Sequence, residues 1–227
     1  MSAIFKHKAW PAIGSFIFTI IFLIGLPVLG WGIDWISLFP KNPVRLAYIF
    51  VIIFQASTNA WLTYINTVKP VNEHYFGFAR WHSYMFETIF LLAAYCDNRG
   101  ILTWDQNNSI RWLGLVIYLL GVGVSISADM AWIKHHRQGL AYKVDNPVLL
   151  YEGPYKFIRF PSILYMILAC FGVALIFRSW VALVLMIPLI GGAVNHIHNL
   201  EREYALQYKN VWPLKRNNSK RLIPFLF

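Results

Sequence analysis

The sequence has little charge and almost no cysteine. Charged residues make up 13% of the 227 positions, whereas hydrophobic residues make up 58%. A soluble domain of this length could not bury so large an apolar fraction in one core, so the composition excludes the soluble globular class. The two cysteines, Cys96 and Cys170, lie in or beside apolar runs without the spacing of metal ligands, and they indicate buried thiols rather than a metal centre.

The chain instead contains long apolar runs. A helix needs about 17–25 apolar residues to cross a bilayer, and these runs are close to that length. We predict six transmembrane helices, and therefore an all-α, polytopic bundle. Their ranges are 12–31, 46–66, 81–96, 111–133, 162–177 and 180–197. A bundle of five spans is the alternative, because the third run is short and carries His82 and Glu87, and because only Arg178 and Ser179 divide the last two runs.

No internal repeat and no Gly/Ser-rich linker divides the chain, so residues 1–227 are expected to form a single integral membrane domain. Residues 1–133 would hold the N-terminal spans, and residues 134–227 a basic loop, the last helical hairpin and a polar tail. The loop at 134–161 and the tail after 198 flank the same pair of spans. We therefore expect the loop and the tail to close over one cleft at the membrane surface.

The net charge of +10 is explained by topology rather than by nucleic acid. In the six-span arrangement, 15 of the 20 lysines and arginines fall on the side that holds both termini. By the positive-inside rule that side is cytoplasmic, and its basic loops would meet anionic lipid. We predict an integral membrane protein with both termini in the cytoplasm and membrane lipids, not nucleic acid, as partners.

The stretch LLYEGPYKFIRFPSILYMI, residues 149–167, combines a turn with the start of a helix. Gly153 and the following proline mark the turn, Tyr155 provides an aromatic plane, Arg159 a planar fork of donors, and Pro161 suits a first helical turn. Such a segment can hold an anionic or aromatic group against a helix N-terminus. The alternative is a proline-started helix whose Arg and Tyr only anchor it among the headgroups.

Carboxylates and histidines near the membrane give further candidate site residues. Glu87 lies inside a span, where it should pair with His82 or Arg80 or stay protonated, and Asp129 lies near the cytoplasmic end of its span. His198, Glu201 and Arg202 share one helix face, which forms either an interfacial polar patch or one wall of a cleft. His196 and His198 diverge by about 200° around a helix, so no shared metal site is predicted.

The segments EGPYKFIRFP and GVALIFRSWVAL resemble the C-terminal core of the isoprenylcysteine and phospholipid methyltransferase family. In HIHNLEREYALQYKNVW the second acid of that family's acidic pair corresponds to Glu201, and the closing Arg-x-x-Pro corresponds to Arg221 and Pro224. The resemblance covers about residues 140–224. It implies a membrane enzyme that binds S-adenosylmethionine in the cytoplasmic cleft and methylates a lipidic or small hydrophobic acceptor.

The resemblance also implies roles for individual residues. Arg159 would anchor the cofactor carboxylate, Glu201 would accept from its ammonium or ribose hydroxyls, and Tyr155 would cover the adenine or the sulfonium. Arg159 and Glu201 are thus the expected catalytic pair. The full set expected around the cofactor comprises Gly153, Tyr155, Arg159, Pro161, His198, Glu201, Asp129 and Tyr142.

Three positions depart from the family pattern. Phe160 stands in place of the motif histidine, Pro147 in place of a second histidine, and Leu200 in place of the first acid. Glu203 could replace that acid only by a shift along the helix. Each departure is expected to remove one polar contact to the cofactor, so a degenerate relative that serves as a structural or lipid-binding subunit of a membrane assembly is one alternative function.

A second resemblance leads to another alternative. ADMAWIKHHRQGLAYKV, residues 128–144, and the terminal RLIPFLF are similar to steroid 5-alpha-reductases, which bind NADPH. Asp129, Arg137 and Tyr142 would then contact the nucleotide, with Lys220 and Arg221 near its phosphates. The reductase Asn-Tyr-x-Gly-Glu pattern is absent from residues 162–166, which read SILYM. The methyltransferase is therefore the favoured function.

The predicted topology can be tested by cysteine-accessibility labelling. Single cysteines at positions 3 and 218 should react from the same, cytoplasmic side, because both positions lie on the basic side of the bundle. A cysteine at position 105, in the predicted loop 97–110, is the opposite-side control. Reaction of positions 3 and 218 from opposite sides would rule out six spans.

Overall fold

The computed structural model describes residues 2–38, 41–65, 76–137 and 150–222, with side chains at 9–36, 41–65, 81–135 and 150–222. The described residues form helices and turns, with two isolated β-bridges and no strand. The helices are α1 (Ser2–Ile20), α2 (Leu26–Trp31), α3 (Trp35–Leu38), α4 (Pro43–Ile65), α5 (Phe76–Arg99), α6 (Asn108–Arg137), α7 (Pro161–Ile176), α8 (Trp180–Gln207) and α9 (Trp212–Asn218). A π-helical turn, Ile21–Gly25, joins α1 to α2, and a 3-10 turn, Gly153–Lys156, precedes α7.

The all-α membrane class predicted from the sequence is confirmed. Four helical stretches are long and apolar enough to cross a bilayer: Ala9–Trp31, Pro43–Ile65, Asn108–His135 and Trp180–Gln207. The two other predicted spans fall on α5 and on α7, which is apolar but has only 16 residues. The helices are therefore compatible with six spans.

Polar residues immediately before the helices explain where several of them begin. The side-chain carbonyl of Asn42 accepts from the backbone N–H of Val44 at 3.0 Å, and the hydroxyl of Ser179 accepts from that of Ala182 at 3.1 Å. These contacts satisfy N–H groups that have no partner inside the helix. Pro161 opens α7, where its missing N–H costs nothing.

Helices α6 and α7 touch backbone to backbone. A Cβ added to Gly114 would lie 2.6 Å from the carbonyl oxygen of Gly172, and one added to Gly172 would lie 2.7 Å from that of Gly114. Small residues permit this approach, on which van der Waals packing between membrane helices depends. The contact fixes α7, and with it the loop before α7, against the longest helix of the bundle.

One buried carboxylate joins four segments at the end of the bundle that holds residues 97–111 and 176–180. Asp97 contacts Arg111 at 2.8 Å, Arg178 at 2.9 Å and Arg45 at 3.5 Å. Arg111 also donates to the carbonyl oxygen of Ile176, and Arg178 donates to that of Trp104 at 2.6 Å. Asp97 thereby connects α4, α5, α6 and the turn between α7 and α8.

Removing the charge of Asp97 should destabilise the protein strongly. Asp97→Asn would leave three arginines beside a neutral amide, and breaking a buried ion pair typically costs about 3–5 kcal/mol. Thermal unfolding of the purified protein in detergent should show the loss, whereas Asp105→Asn, which changes an exposed acid in a neighbouring loop, should not. Equal melting temperatures for the two variants would contradict a structural role for Asp97.

Candidate functional site

The loop before α7 and the tail after α8 are joined by backbone hydrogen bonds. The N–H of Arg159 donates to the carbonyl oxygen of Lys220 at 2.8 Å, and the N–H of Lys220 donates to that of Phe157 at 2.8 Å. In addition, the N–H of Phe160 donates to the carbonyl oxygen of Arg221 at 3.2 Å. The expected meeting of the loop and the tail is therefore confirmed for the described part of the loop, residues 150–160.

Glu201 is shared by one arginine from the loop and one from the tail. Arg159 Nη2 lies 2.9 Å from Glu201 Oε1, and Arg221 Nη2 lies 2.8 Å from Glu201 Oε2. The Nε of Arg221 also donates to the carboxylate, at 3.1 Å. We call Arg159, Glu201 and Arg221 the clamp. Because the loop, α8 and the tail each contribute one of its members, the clamp fixes their relative positions.

The guanidinium of Arg159 contacts protein groups and does not line a pocket. Its Nη1 donates to the carbonyl oxygens of Arg216 at 2.9 Å and Ser219 at 2.7 Å, and its side chain is buried. Burial lowers the pKa of the Arg159 guanidinium, while the adjacent Glu201 carboxylate opposes that shift. Arg159 therefore holds the tail in place from inside.

Lys215 provides a second buried cation at the same end of the molecule. Its ammonium donates to the carbonyl oxygens of Leu150 and Tyr155, and the side chain is fully buried. Burial, reinforced by repulsion from Arg159, lowers the pKa of Lys215 to about 8. Sequence analysis missed this residue because its position in a basic tail resembles that of an exposed lysine.

A pocket of about 320 Å³ opens beside the clamp. Its described lining is His198, Glu201, Arg202, Ala205, Trp212, Arg216 and Arg221. The three guanidinium groups outnumber the one carboxylate, so the pocket favours a ligand with an anionic group. Trp212 contributes to the lining only through the 3% of its surface that is exposed.

The residues expected around a cofactor divide into two groups. Glu201 and His198 line the pocket, together with Arg202, so the three residues predicted to share a face of α8 lie along one pocket. Arg159 and Tyr155 do not line it: Arg159 supports Glu201 from inside, and Tyr155 packs against Ala128, Ala131 and Leu150.

The remaining expected residues lie around the edge of this region or away from it. Gly153 has a φ of +53°, and a Cβ there would lie 2.9 Å from that of Ala131, so glycine allows the turn to rest on α6. Pro161 begins α7, and Asp129 is exposed on α6. Tyr142 lies outside the described residues.

Phe160 and Leu200 correct an expectation from the sequence. We expected each to remove a polar contact to a cofactor, yet neither lines the pocket. Both are buried in an apolar cluster with Ile163, Tyr204 and Trp212 beneath the clamp. A histidine at position 160 would therefore enter an apolar layer rather than reach a ligand in the pocket. Pro147, the third departure, lies outside the described residues.

Among the described residues, those that were expected to contact NADPH do not form a cluster. Lys220 is exposed, Arg221 is bound to Glu201, and Asp129 is exposed on α6. The side chains of Arg137 and Tyr142 lie outside the described residues.

Comparison with known proteins matches the C-terminal core to one family. Residues 109–207 match the family model of phospholipid methyltransferase. The match runs from the start of α6 to the last residue of α8, so it includes the 3-10 turn, Arg159 and Glu201, and ends before α9. It confirms the resemblance found in the sequence. No curated protein and no solved structure matches the chain.

The low pKa of Lys215 predicts how stability depends on pH. Below about pH 8 both the folded and the unfolded chain keep this proton, and the cost of burying the charge is fully present. Between pH 8 and the ordinary lysine pKa of 10.5 only the unfolded chain keeps it, so this residue's contribution to the free energy of unfolding rises with pH.

Lys215→Met should remove that rise, measured as unfolding by denaturant in detergent between about pH 7 and 10. Lys209→Met, at an exposed position of the same tail, is the matched control and should keep the wild-type pH dependence. Parallel curves for the wild type and Lys215→Met would contradict this assignment.

Proposed function

Because residues 109–207 match the family model of phospholipid methyltransferase, we propose that this integral membrane protein transfers a methyl group from S-adenosylmethionine to a lipidic or small hydrophobic acceptor. The observation that carries the proposal is the pocket beside Glu201. It joins the matched helix α8 to the tail, and it combines guanidinium groups, a carboxylate and an indole.

The residues of the pocket fit the chemical groups of S-adenosylmethionine. A guanidinium binds a carboxylate with two parallel hydrogen bonds, which suits the amino-acid end of the cofactor. The carboxylate of Glu201 suits its ammonium or ribose hydroxyls. Arg202 and Arg216 are exposed in this pocket and do not belong to the clamp. They can therefore bind a ligand without breaking the ion pairs of the clamp.

The clamp residues take different roles in this proposal. Glu201 lines the pocket and touches the ligand, whereas Arg159 is a positioning residue that holds Glu201 and the tail. Arg221 does both, because it lines the pocket and pairs with Glu201. Loss of Arg159 would then act on binding through the geometry of the tail.

Bound S-adenosylmethionine would supply an electrophilic methyl group for direct displacement by a nucleophilic atom of the acceptor. No covalent intermediate with the protein is needed. The protein contributes by orienting the two reactants and by excluding water, which together account for much of the rate in such reactions. The apolar cluster of Phe160, Leu200 and Trp212 beneath the clamp excludes water from the membrane side of the pocket.

Calorimetric titration of the purified protein with S-adenosylmethionine, its demethylated product and NADPH tests the proposal. Wild type should bind the first two, and Arg202→Ala should weaken that binding by about tenfold, because a hydrogen bond to a charged group contributes about 1.5 kcal/mol or more. Arg99→Ala, an exposed arginine at the opposite end of the bundle, is the matched control.

The outcomes distinguish the candidate functions. Binding of NADPH in place of S-adenosylmethionine would support the reductase. No binding of any of the three compounds would support a structural subunit, and equal affinities for Arg202→Ala and Arg99→Ala would place the cofactor elsewhere.

A further inference from the structure

A polar groove lies between α5 and α8, next to the pocket beside the clamp. Its volume is about 360 Å³, in the range of ordinary small-molecule sites. The described residues that line it are Trp81 and His82 of α5 and Gly192, Asn195, His196 and Asn199 of α8. A Cβ added to Gly192 would overlap the indole ring of Trp81, so glycine at this position allows the indole to form one side of the groove.

The groove lies at the depth of the lipid headgroups. Trp81 precedes Arg99, the last residue of α5, by 18 residues. Asn199 follows Trp180, the first residue of α8, by 19 residues. At 1.5 Å per residue these separations are about 27–29 Å, close to the thickness of about 30 Å of the hydrocarbon layer. These two helix ends lie at the Asp97 end of the bundle, so the groove lies at the opposite membrane surface.

One line of side chains along α8 changes from apolar to polar as it passes the groove. Val184, Asn195 and Arg202 are separated by 11 and 7 residues, so on a helix they lie within about 20° of one line. All three side chains are exposed. Val184 lies at the depth of the hydrocarbon layer, Asn195 near its boundary and Arg202 beyond it. This order of polarity matches that of a phospholipid, from its acyl chains to its phosphate.

The groove and the pocket beside the clamp adjoin along α8. Asn199 lines the groove, and Arg202, three residues later, lines the pocket. Side chains three residues apart are neighbours on a helix surface, so a molecule in the groove reaches the pocket within one helical turn. The guanidinium of Arg202 has five N–H donors, and it can therefore bind one group in the pocket and another in the groove.

The described lining of the groove offers hydrogen-bonding groups and includes no carboxylate, lysine or arginine. The side chains of Asn195 and Asn199 are exposed, and neither side-chain amide bonds to another described residue. Each amide carries two N–H donors. Such donors suit the ester and phosphate oxygens of a phospholipid, which only accept hydrogen bonds.

We propose that this groove is the site through which a phospholipid acceptor reaches the pocket beside the clamp, and that Asn195 and Asn199 hold its ester and phosphate oxygens. This assignment rests on the proposed methyltransferase function. The acyl chains lie along α8 beside Val184, and the headgroup passes Arg202. The reacting end of the acceptor thereby enters the pocket proposed for S-adenosylmethionine.

Native mass spectrometry of the purified full-length protein in a non-ionic maltoside detergent tests the proposal. The probes are dihexanoyl phosphatidylethanolamine and dihexanoylglycerol, which have the same acyl chains and ester groups and differ in the phosphate headgroup. The phospholipid should bind at least about tenfold more tightly, because only its phosphate brings charged acceptor oxygens to the amides and to Arg202. Equal binding of the two probes would overturn the proposal.

Two variants locate the bound phospholipid. Asn195→Leu and Asn199→Leu each remove one exposed amide, and each should weaken phospholipid binding by about tenfold, as expected for the loss of a hydrogen bond to a charged group. Gln207→Leu is the matched control, because Gln207 is an exposed amide on the same helix and lines neither the groove nor the pocket. Equal phospholipid affinities for the control and both asparagine variants would refute the groove as the site.

Thiol labelling locates the phospholipid without relying on a loss of affinity. The natural cysteines, Cys96 and Cys170, are buried, so Asn195→Cys places one accessible thiol in the groove. Added dihexanoyl phosphatidylethanolamine should slow the reaction of this thiol with a maleimide and leave that of Gln207→Cys unchanged. Equal rates with and without the phospholipid at position 195 would contradict the assignment.

Titration of the same preparations with S-adenosylmethionine separates this inference from the function on which it rests. If S-adenosylmethionine binds but the asparagine variants keep wild-type affinity for the phospholipid, the groove is refuted and the methyltransferase stands. If the phospholipid binds in the groove but S-adenosylmethionine does not bind, the methyltransferase is refuted, and with it the acceptor role of the groove.

Discussion

The carboxylate of Glu201 is the contact on which the arrangement of the candidate site depends. It binds Arg159 from the loop and Arg221 from the tail, and without it two partly buried guanidinium groups would lie side by side. An uncompensated buried charge is costly, so the Glu201 carboxylate favours these positions of the loop and the tail. Glu201 of α8 and Arg221 of the tail line the pocket together with Trp212 and Arg216, so this contact holds the tail at the pocket.

At both ends of the bundle, one buried carboxylate pairs with more than one arginine. Asp97 is shared by three arginines at one end, as Glu201 is shared by two at the other. Between these clusters the close approach of Gly114 and Gly172 fixes α6 against α7. Helix α7 is consequently well supported.

Sequence patterns identified the principal residues of the candidate site but misjudged the directions of several side chains. The spacing of Glu201 from His198 and Arg202 predicted a shared face, because helical periodicity is a local property. Comparison of Phe160 and Leu200 with a family pattern suggested lost ligand contacts, since such a comparison gives residue type without direction. In the structure both side chains turn into the apolar cluster beneath the clamp.

The sequence by itself determined the all-α membrane class and the approximate helix ranges, because apolar length, periodicity and capping residues act within a few turns of one helix. Only the tertiary structure decided which charges meet. Asp97 and Arg178 are 81 residues apart, and Lys215 reaches a carbonyl 65 residues away. Which charged groups pair depends on their distances and on their desolvation in the folded protein. The sequence does not distinguish a buried charged residue from an exposed one of the same type. For that reason the sequence did not distinguish Lys215 from an exposed lysine.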